Sequence, residues 1–490
     1  MTFADYLVIA VYAAGMIVVG RYYSVRTRTT DDYLLGGRRM SPLLIGLSLF
    51  ATLTSTLSYL AMPGEMIKHG PMMFSQTAAL PFSALIVGWA LIPFIMRLNV
   101  TSGYELLEAK LGLAGRMLGS AMFMVLRAIW MASILYATAD KFVVPLFELD
   151  PYWTPYISAA MGLLTVVYTA EGGLRAVVVT DALQSIIMFA GAIATVAVIH
   201  ASLGGFGAWW PAAWPQHWEP PRFWPHGESR VTFVTAFLNM LVWMVCTAGS
   251  DQMAIQRYLA TRDAPAARRS IFVHLFTEAL IIGLMALVGV AVLAYFRARP
   301  EQLASGTSAI ADADKLFPRF IMVGLPVGLT GLVSAAVLSA AMSSLSSGVN
   351  SVTAVITSDF IGRFRRREPD QAAQVRQARV VSLLVGVAAI LLSLVIAQIP
   401  PDNLMELCIK LVNLLTSPIF VLFFLAMFVP WANPHGAVAA TVASISVAVA
   451  IVFEVFGVRF MWAGLASLAA GILVGTLASL LPWPKRLRSP

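Results

Sequence analysis

The sequence predicts an all-α protein that crosses a membrane about thirteen times, and three observations predict it. Of 490 residues, 59% are hydrophobic and only 12% charged, where a soluble domain carries roughly a quarter charged residues. Apolar stretches of about 18 residues or more recur along the whole chain, each long enough to cross a hydrocarbon core of roughly 30 Å as a helix. Lys and Arg gather in alternate loops, as in a chain threaded back and forth across one bilayer.

The spans fall near 3–20, 43–67, 73–96, 117–147, 153–170, 176–202, 231–249, 270–296, 326–358, 378–399, 404–430, 436–457 and 460–482. No Lys or Arg precedes the first, which contains Asp5 and is followed by no small-residue cleavage site. It therefore reads as an uncleaved helix and not a signal peptide. With the N-terminus outside and the C-terminus in the cytoplasm, the inner loops hold Arg21, Arg26, Arg28, Arg38, Arg39, Arg262, Arg268, Arg269, Arg363, Arg365, Arg366, Arg367, Lys485 and Arg486. The net charge of +8 thus reports orientation in an inner, or plasma, membrane and no nucleic-acid partner. The expected partners are the bilayer and a small solute, with no obligatory protein partner evident.

Between the sixth and seventh spans, an outer loop near 203–230 carries Trp209, Trp210, Trp214, Trp218 and Trp224 among prolines. It is expected to lie on the membrane surface, with an aromatic lid over the solute path as the alternative. The loop near 297–325 is expected to hold a short helix. Cys246 and Cys408 both sit in apolar helices, which leaves no zinc cluster, redox pair or disulfide framework. No GxxxxGK[ST] occurs, which argues against an ATP-driven pump.

Polar atoms enter the membrane at a few places. The second span carries Ser48, Thr52, Thr54, Ser55, Thr56 and Ser58, then Pro63, Gly64 and Glu65. Such a run either unwinds where it lines a cavity, freeing carbonyls that bind cations, or packs closely through small residues. The ninth span places Ser343, Ser346, Ser347 and Asn350 on one helical face, with Ala340 and Ser344 on the adjoining stripe. Hydroxyl oxygens there suit a hard monovalent ion, and small-residue packing is again the alternative. Asp181 begins the apolar run of the sixth span, as an ion partner or as a helix cap. Arg127 and Lys410 lie well inside spans, where a charge marks function by default. Each either binds a substrate carboxylate or pairs within the bundle.

At these residues the chain resembles the solute:sodium symporter family, which includes sodium-coupled sugar, proline, sialic acid, iodide, multivitamin and monocarboxylate carriers. The resemblance runs from about residue 2 to 482. It rests on Asp31-Asp-Tyr-Leu-Leu-Gly-Gly-Arg38, the Ser48-Leu-Phe-Ala-Thr helix with Pro63-Gly-Glu65, and Thr101-Ser-Gly-Tyr-Glu-Leu-Leu-Glu108. Further marks are Glu171-Gly-Gly-Leu-Arg-Ala-Val-Val-Val-Thr-Asp181, Asp251-Gln-Met-Ala-Ile-Gln-Arg-Tyr258 and the serine helix. Each motif is weak alone, and their shared order is strong.

The resemblance implies one transporter domain over 1–490 of the leucine-transporter type. A first helix (about 3–20) precedes two inverted five-helix repeats (about 43–430), and two more helices follow (about 436–482). The broken helices would be the second span and the one starting near 231. It also implies Na+ as coupling ion, held by the carbonyls of Ala51, Thr54 and Ala340 and the hydroxyls of Ser343 and Ser344. Thr54 stands where relatives often have an apolar residue, a change that a carbonyl ligand tolerates. A second sodium, found in some members, would use Asp181, Ser343, Ser346 and Ser347. Leu53 replaces the asparagine of sugar carriers, which speaks against hexose. The solute cavity is expected at Ser55, Ser58, Gln76 and Trp243, with Arg127 and Lys410 favouring a carboxylate over a neutral sugar, polyol or zwitterion. A membrane-embedded enzyme or sensor is the different-class alternative. No HExxH or Cys/His nucleophile pair supports an enzyme.

Overall fold

The computed structural model describes residues 1–97, 100–225, 229–365, 370–397, 404–453, 455 and 458–481, with backbone alone at 404–409 and 411–413. Arg366, Arg367, Lys485, Arg486, the side chain of Cys408 and the expected span ends at 398–399, 457 and 482 lie outside the described residues. No strand occurs among the described residues.

The chain opens with α1 (Phe3–Ser24). Next come α2 (Pro42–Leu53) and α3 (Thr56–His69), which meet at 67° across a two-residue break. The hydroxyl-rich sequence explains the break. Thr54 donates its N–H to Phe50 and leaves helical geometry, and Ser55 restarts the helix by accepting from the N–H of Ser58. Pro63, by contrast, stays inside α3.

Then follow α4 (Pro71–Ile95), α5 (Glu105–Leu146) and α6 (Thr154–Leu203). At about 1.5 Å per residue, the 50 residues of α6 are too long for one crossing. They divide at Gly173, where φ is +61° and an added Cβ would meet the Tyr33 carbonyl at 2.7 Å. Only glycine adopts that geometry without cost.

A second break follows. Helices α7 (Phe233–Ser250) and α8 (Gln252–Leu259) are separated at Asp251, so the expected seventh span runs ten residues beyond 249. The hydropathy of the span ends early because Asp251 and Gln252 interrupt it. Beyond are α9 (Ala264–Ala298), α10 (Ala313–Val323), α11 (Leu329–Gly362), α12 (Gln371–Ile396), α13 (Leu404–Phe428), α14 (Pro434–Val452) and α15 (Phe460–Ala478). Helix α10 is the short helix expected in the 297–325 loop.

By length and composition, ten of the described helices are able to cross a membrane, or eleven with the α2/α3 pair. The expectation of thirteen also divides α6 at Gly173 and includes α13. Helix α11 is the axis of the bundle, with 89% of its most apolar window buried against 22% for α1 and α12. It packs on α1, α2, α3, α5, α6 and α12, while α14 and α15 pack on α13 and each other at the edge.

Candidate functional site

The break between α2 and α3 faces the serine run of α11. A helix end leaves its last carbonyls without partners, and α11 supplies donors to them. Ser343 Oγ lies 2.7 Å from the Ala51 carbonyl and 3.3 Å from that of Ala340. Ser344 Oγ donates to the Thr52 carbonyl at 3.0 Å, and Thr56 Oγ1, just past the break, donates to Val337 at 3.1 Å. Of the five predicted ligands, the structure thus joins Ala51, Ala340 and Ser343 directly. Ser344 turns to Thr52, and Thr54 is held at the break itself. All the donor atoms are neutral oxygens, the set that unwound transporter helices offer to Na+.

Below this lies Asp181, fully buried inside the second part of α6 and not at a helix start, so the capping alternative falls. Its Oδ2 accepts from Ser48 Oγ at 2.6 Å, Ser347 Oγ at 3.2 Å, Thr52 Oγ1 at 3.4 Å and Arg257 Nη2 at 3.0 Å. Its Oδ1 is buried with no hydrogen-bond partner among the described residues. Ser346 Oγ, the other predicted member, donates to the Ser343 carbonyl at 3.0 Å. Arg257 is a member of this cluster that sequence reasoning missed. It is fully buried, reaches Ser48 through Nε at 2.7 Å and also meets Ser347. Its signal was the Asp251 to Tyr258 motif, which continues the broken helix past the apolar span.

The second break is organised by charge. Asp251 Oδ1 caps α8 by accepting from Met253 N at 2.8 Å, and its Oδ2 pairs with Arg127 from α5. Arg127 is therefore paired within the bundle, yet its Nε is buried without a partner among the described residues. Gln252 Nε2 donates to the Thr101 carbonyl and its Oε1 accepts from Gly103 N; Gln256 Nε2 donates to Asn350 Oδ1 and its Oε1 accepts from Ser351 Oγ. Of the other predicted solute contacts, Ser55 and Gln76 are buried, and Ser58, Trp243 and Lys410 are half-buried. Their helices interlock, since α13 packs on α3, α5 and α7, and α4 packs on α7. A separate cavity of about 440 Å³, between the C-terminal end of α5 and the length of α10, is lined by none of these six residues.

Residues 33–444 match the sodium:solute symporter family. The chain belongs to that family. The symporter is 27% identical over 99% of its length to a sodium/sialic acid symporter of Proteus mirabilis, covering 96% of that relative. It is 29% identical over 98% of its length to a sodium-dependent multivitamin transporter of Oryctolagus cuniculus, covering 76% of it. Among solved structures, it resembles a substrate-bound, outward-open Na+-coupled sialic acid symporter with a TM-score of 0.84, at 26% identity and full coverage of both chains. The fold is the leucine-transporter type, the symporter is a multi-pass membrane protein, and Na+ is its coupling ion.

The tryptophan loop of the symporter is more than a surface segment. Trp210, Trp214 and Trp224 are exposed, as an interfacial stretch requires, but Trp209 and Trp218 are buried. Trp218 Nε1 donates to the Ile67 carbonyl at 3.3 Å, and its ring fills the space beside Gly70. Arg230 binds both Glu219 and Glu65 of α3, and Glu219 also meets His69 Nδ1 at 3.0 Å. The loop is strapped to the end of α3.

At the opposite end, Asp359 of α11 binds Arg116, Ser102 and Ser120, and Arg116 also holds Glu108. This network ties α11 to α5.

Proposed function

We propose that the symporter imports a small organic carboxylate together with sodium by alternating access, as one transporter domain in the plasma membrane with its N-terminus outside. The principal ion binds where α2 breaks, to the carbonyls of Ala51, Thr54 and Ala340 and the hydroxyls of Ser343 and Ser344. The observation that carries this reading is the contact of Ser343 Oγ with Ala51 O across the 67° break. A helix interrupted in the bundle and faced by hydroxyls supplies oxygen ligands that no continuous helix offers.

A second sodium binds at Asp181 with Ser343, Ser346 and Ser347. The unpartnered Asp181 Oδ1 supports it, because a buried carboxylate oxygen without a donor is costly unless a cation satisfies it. The carboxylate class is supported by the unpartnered Nε of Arg127 and by a relative that carries sialic acid, a sugar acid. Ser55, Ser58, Gln76, Trp243 and Lys410 complete the cavity. Transport leaves the solute chemically unchanged, so the protein is not an enzyme in this reading.

The test is uptake into proteoliposomes over a panel of monocarboxylates, sugar acids, neutral sugars, polyols and zwitterions. A carboxylate is expected to accumulate only under an inward sodium gradient. A best substrate without a carboxylate overturns the solute class, and accumulation without sodium overturns the coupling.

A further inference from the structure

The buried carboxylates of the bundle form a set with one exception. Asp181 pairs with Arg257, Asp251 with Arg127, Glu65 with Arg230 and Asp359 with Arg116. Asp5 is held by the backbone N–H groups of Gly328 and Gly331. Glu278, only 5% exposed, has neither a basic partner nor a backbone donor among the described residues. It lies on α9, about 21 Å along the helix from Ala264 at roughly 1.5 Å per residue, and so near the bilayer midplane. An uncompensated carboxylate at that depth is expensive and marks function.

Its recorded contact is specific. Thr54 Oγ1 donates to Glu278 Oε2 at 2.9 Å. Thr54 is the residue that ends α2, with φ −87° and ψ 99°, so its own carbonyl leaves the helix at the break. One residue thus offers its carbonyl to the proposed ion site and its hydroxyl to Glu278. Helix α9 packs on both α2 and α3, beside the break that α11 also faces. An apolar residue at 54 would keep the carbonyl and lose the tether.

We propose that Glu278 is the anionic member of the principal cation site, supplying the counter-charge for sodium bound at the α2/α3 break while the Thr54 hydroxyl holds it in place. The proposal rests on the sodium reading above. It gives an otherwise neutral oxygen cage a full negative charge, tethered to the residue whose carbonyl the cage would use, and it accounts for Glu278 having no basic partner among the described residues. The coupling ion is that partner.

The test measures 22Na+ binding to the purified full-length symporter, with sodium-dependent thermostabilisation as a second readout. Glu278→Gln keeps an acceptor for Thr54 and removes the charge, so its sodium Kd is expected to rise roughly tenfold or more. Glu278→Asp, which keeps the charge, is expected to recover part of that loss, and Thr54→Val to lose severalfold. An unchanged Kd in Glu278→Gln overturns the proposal. So does a variant that binds sodium normally but loses a pH dependence shown by the wild type, because a proton is then the occupant. If Glu278→Gln does not fold, an unchanged Kd in Thr54→Val overturns the tether. Failure of the wild type to bind 22Na+ overturns the sodium reading itself.

Discussion

At the scale of single residues, Arg127 and Asp181 are each paired through one atom and open at another. Arg127 binds Asp251 and leaves Nε bare in a buried position. Arg127→Gln is expected to raise the KM for a carboxylate solute by roughly ten- to a hundredfold, since charge-assisted bonds are about twice as strong as neutral ones. The effect on a neutral competitor should be small. Equal losses for both solutes, read from uptake kinetics, would assign Arg127 to structure alone. Asp181 divides its two oxygens in the same way, one saturated by Arg257, Ser48 and Ser347 and one open. Asp181→Asn is expected to lower the Hill coefficient for sodium from above one toward one. A wild-type coefficient of one removes the second ion.

At the scale of elements, the two broken helices and the strap over α3 are where motion must be accommodated. The strap is held by Glu219. Burial pushes its carboxyl up, but hydrogen bonds from His69 and Arg230 outweigh that and hold it below its ordinary value of 4.5. A depressed carboxyl stabilises the docked loop above about pH 4.5 and loses that contribution as pH falls through the lowered value. Amide protection factors, taken against the intrinsic exchange rate at each pH, should therefore be high in residues 217–223 at neutral pH and fall on acidification below 4.5, and Glu219→Gln should show low protection at both. Protection that ignores pH and the substitution contradicts the strap. The opposite network is expected to act as a closure between α5 and α11. Asp359→Asn removes the buried partner of Arg116 and leaves it with Glu108 alone, and should raise the labelling rate of a cysteine placed in the adjacent pathway, whereas an unchanged rate would limit Asp359 to local structure.

Much of this was legible in the sequence, for a physical reason. Lipid leaves helices as the only open choice, so apolar length sets the spans, and a six-hydroxyl run inside one span marks the first break. Ser343, Ser346, Ser347 and Asn350 share one buried face and Ser344 lies on the adjoining stripe, a pattern that either close packing or ion binding explains. What was not legible lay where polarity hid membrane depth. Asp251 and Gln252 end the apolar run early, so Arg257 fell outside the expected span although it is fully buried. Glu278 is one acid in a long apolar helix, and only the approach of Thr54 distinguishes it. The division of α6 at Gly173, by contrast, is legible, because Glu171 and Arg175 interrupt the apolar run between 153–170 and 176–202.

At the scale of the whole molecule, the driving force constrains the stoichiometry. One sodium contributes about 2.3 kcal/mol per 100 mV plus about 1.4 kcal/mol for a tenfold gradient, roughly 3.7 kcal/mol in all. A monoanion entering with one sodium moves no net charge and gains only the roughly tenfold gradient term. With two sodium ions it gains both gradients and one charge, roughly 5 kcal/mol or several-thousand-fold accumulation. Uptake of a monocarboxylate should therefore accelerate when the vesicle interior is made negative, and the acceleration should vanish in Asp181→Asn. Indifference of the wild type to voltage would leave one sodium per monoanion.

Sodium binding where α2 breaks against α11 is tested most directly by the isotherm of 22Na+ binding to the purified wild type beside the Ser343→Ala/Ser344→Ala double variant. Saturable binding is expected in the wild type and, in a variant of equal expression, a shift of the curve to at least roughly tenfold higher sodium from the loss of two oxygen ligands. Superimposable isotherms would contradict a sodium site at the break.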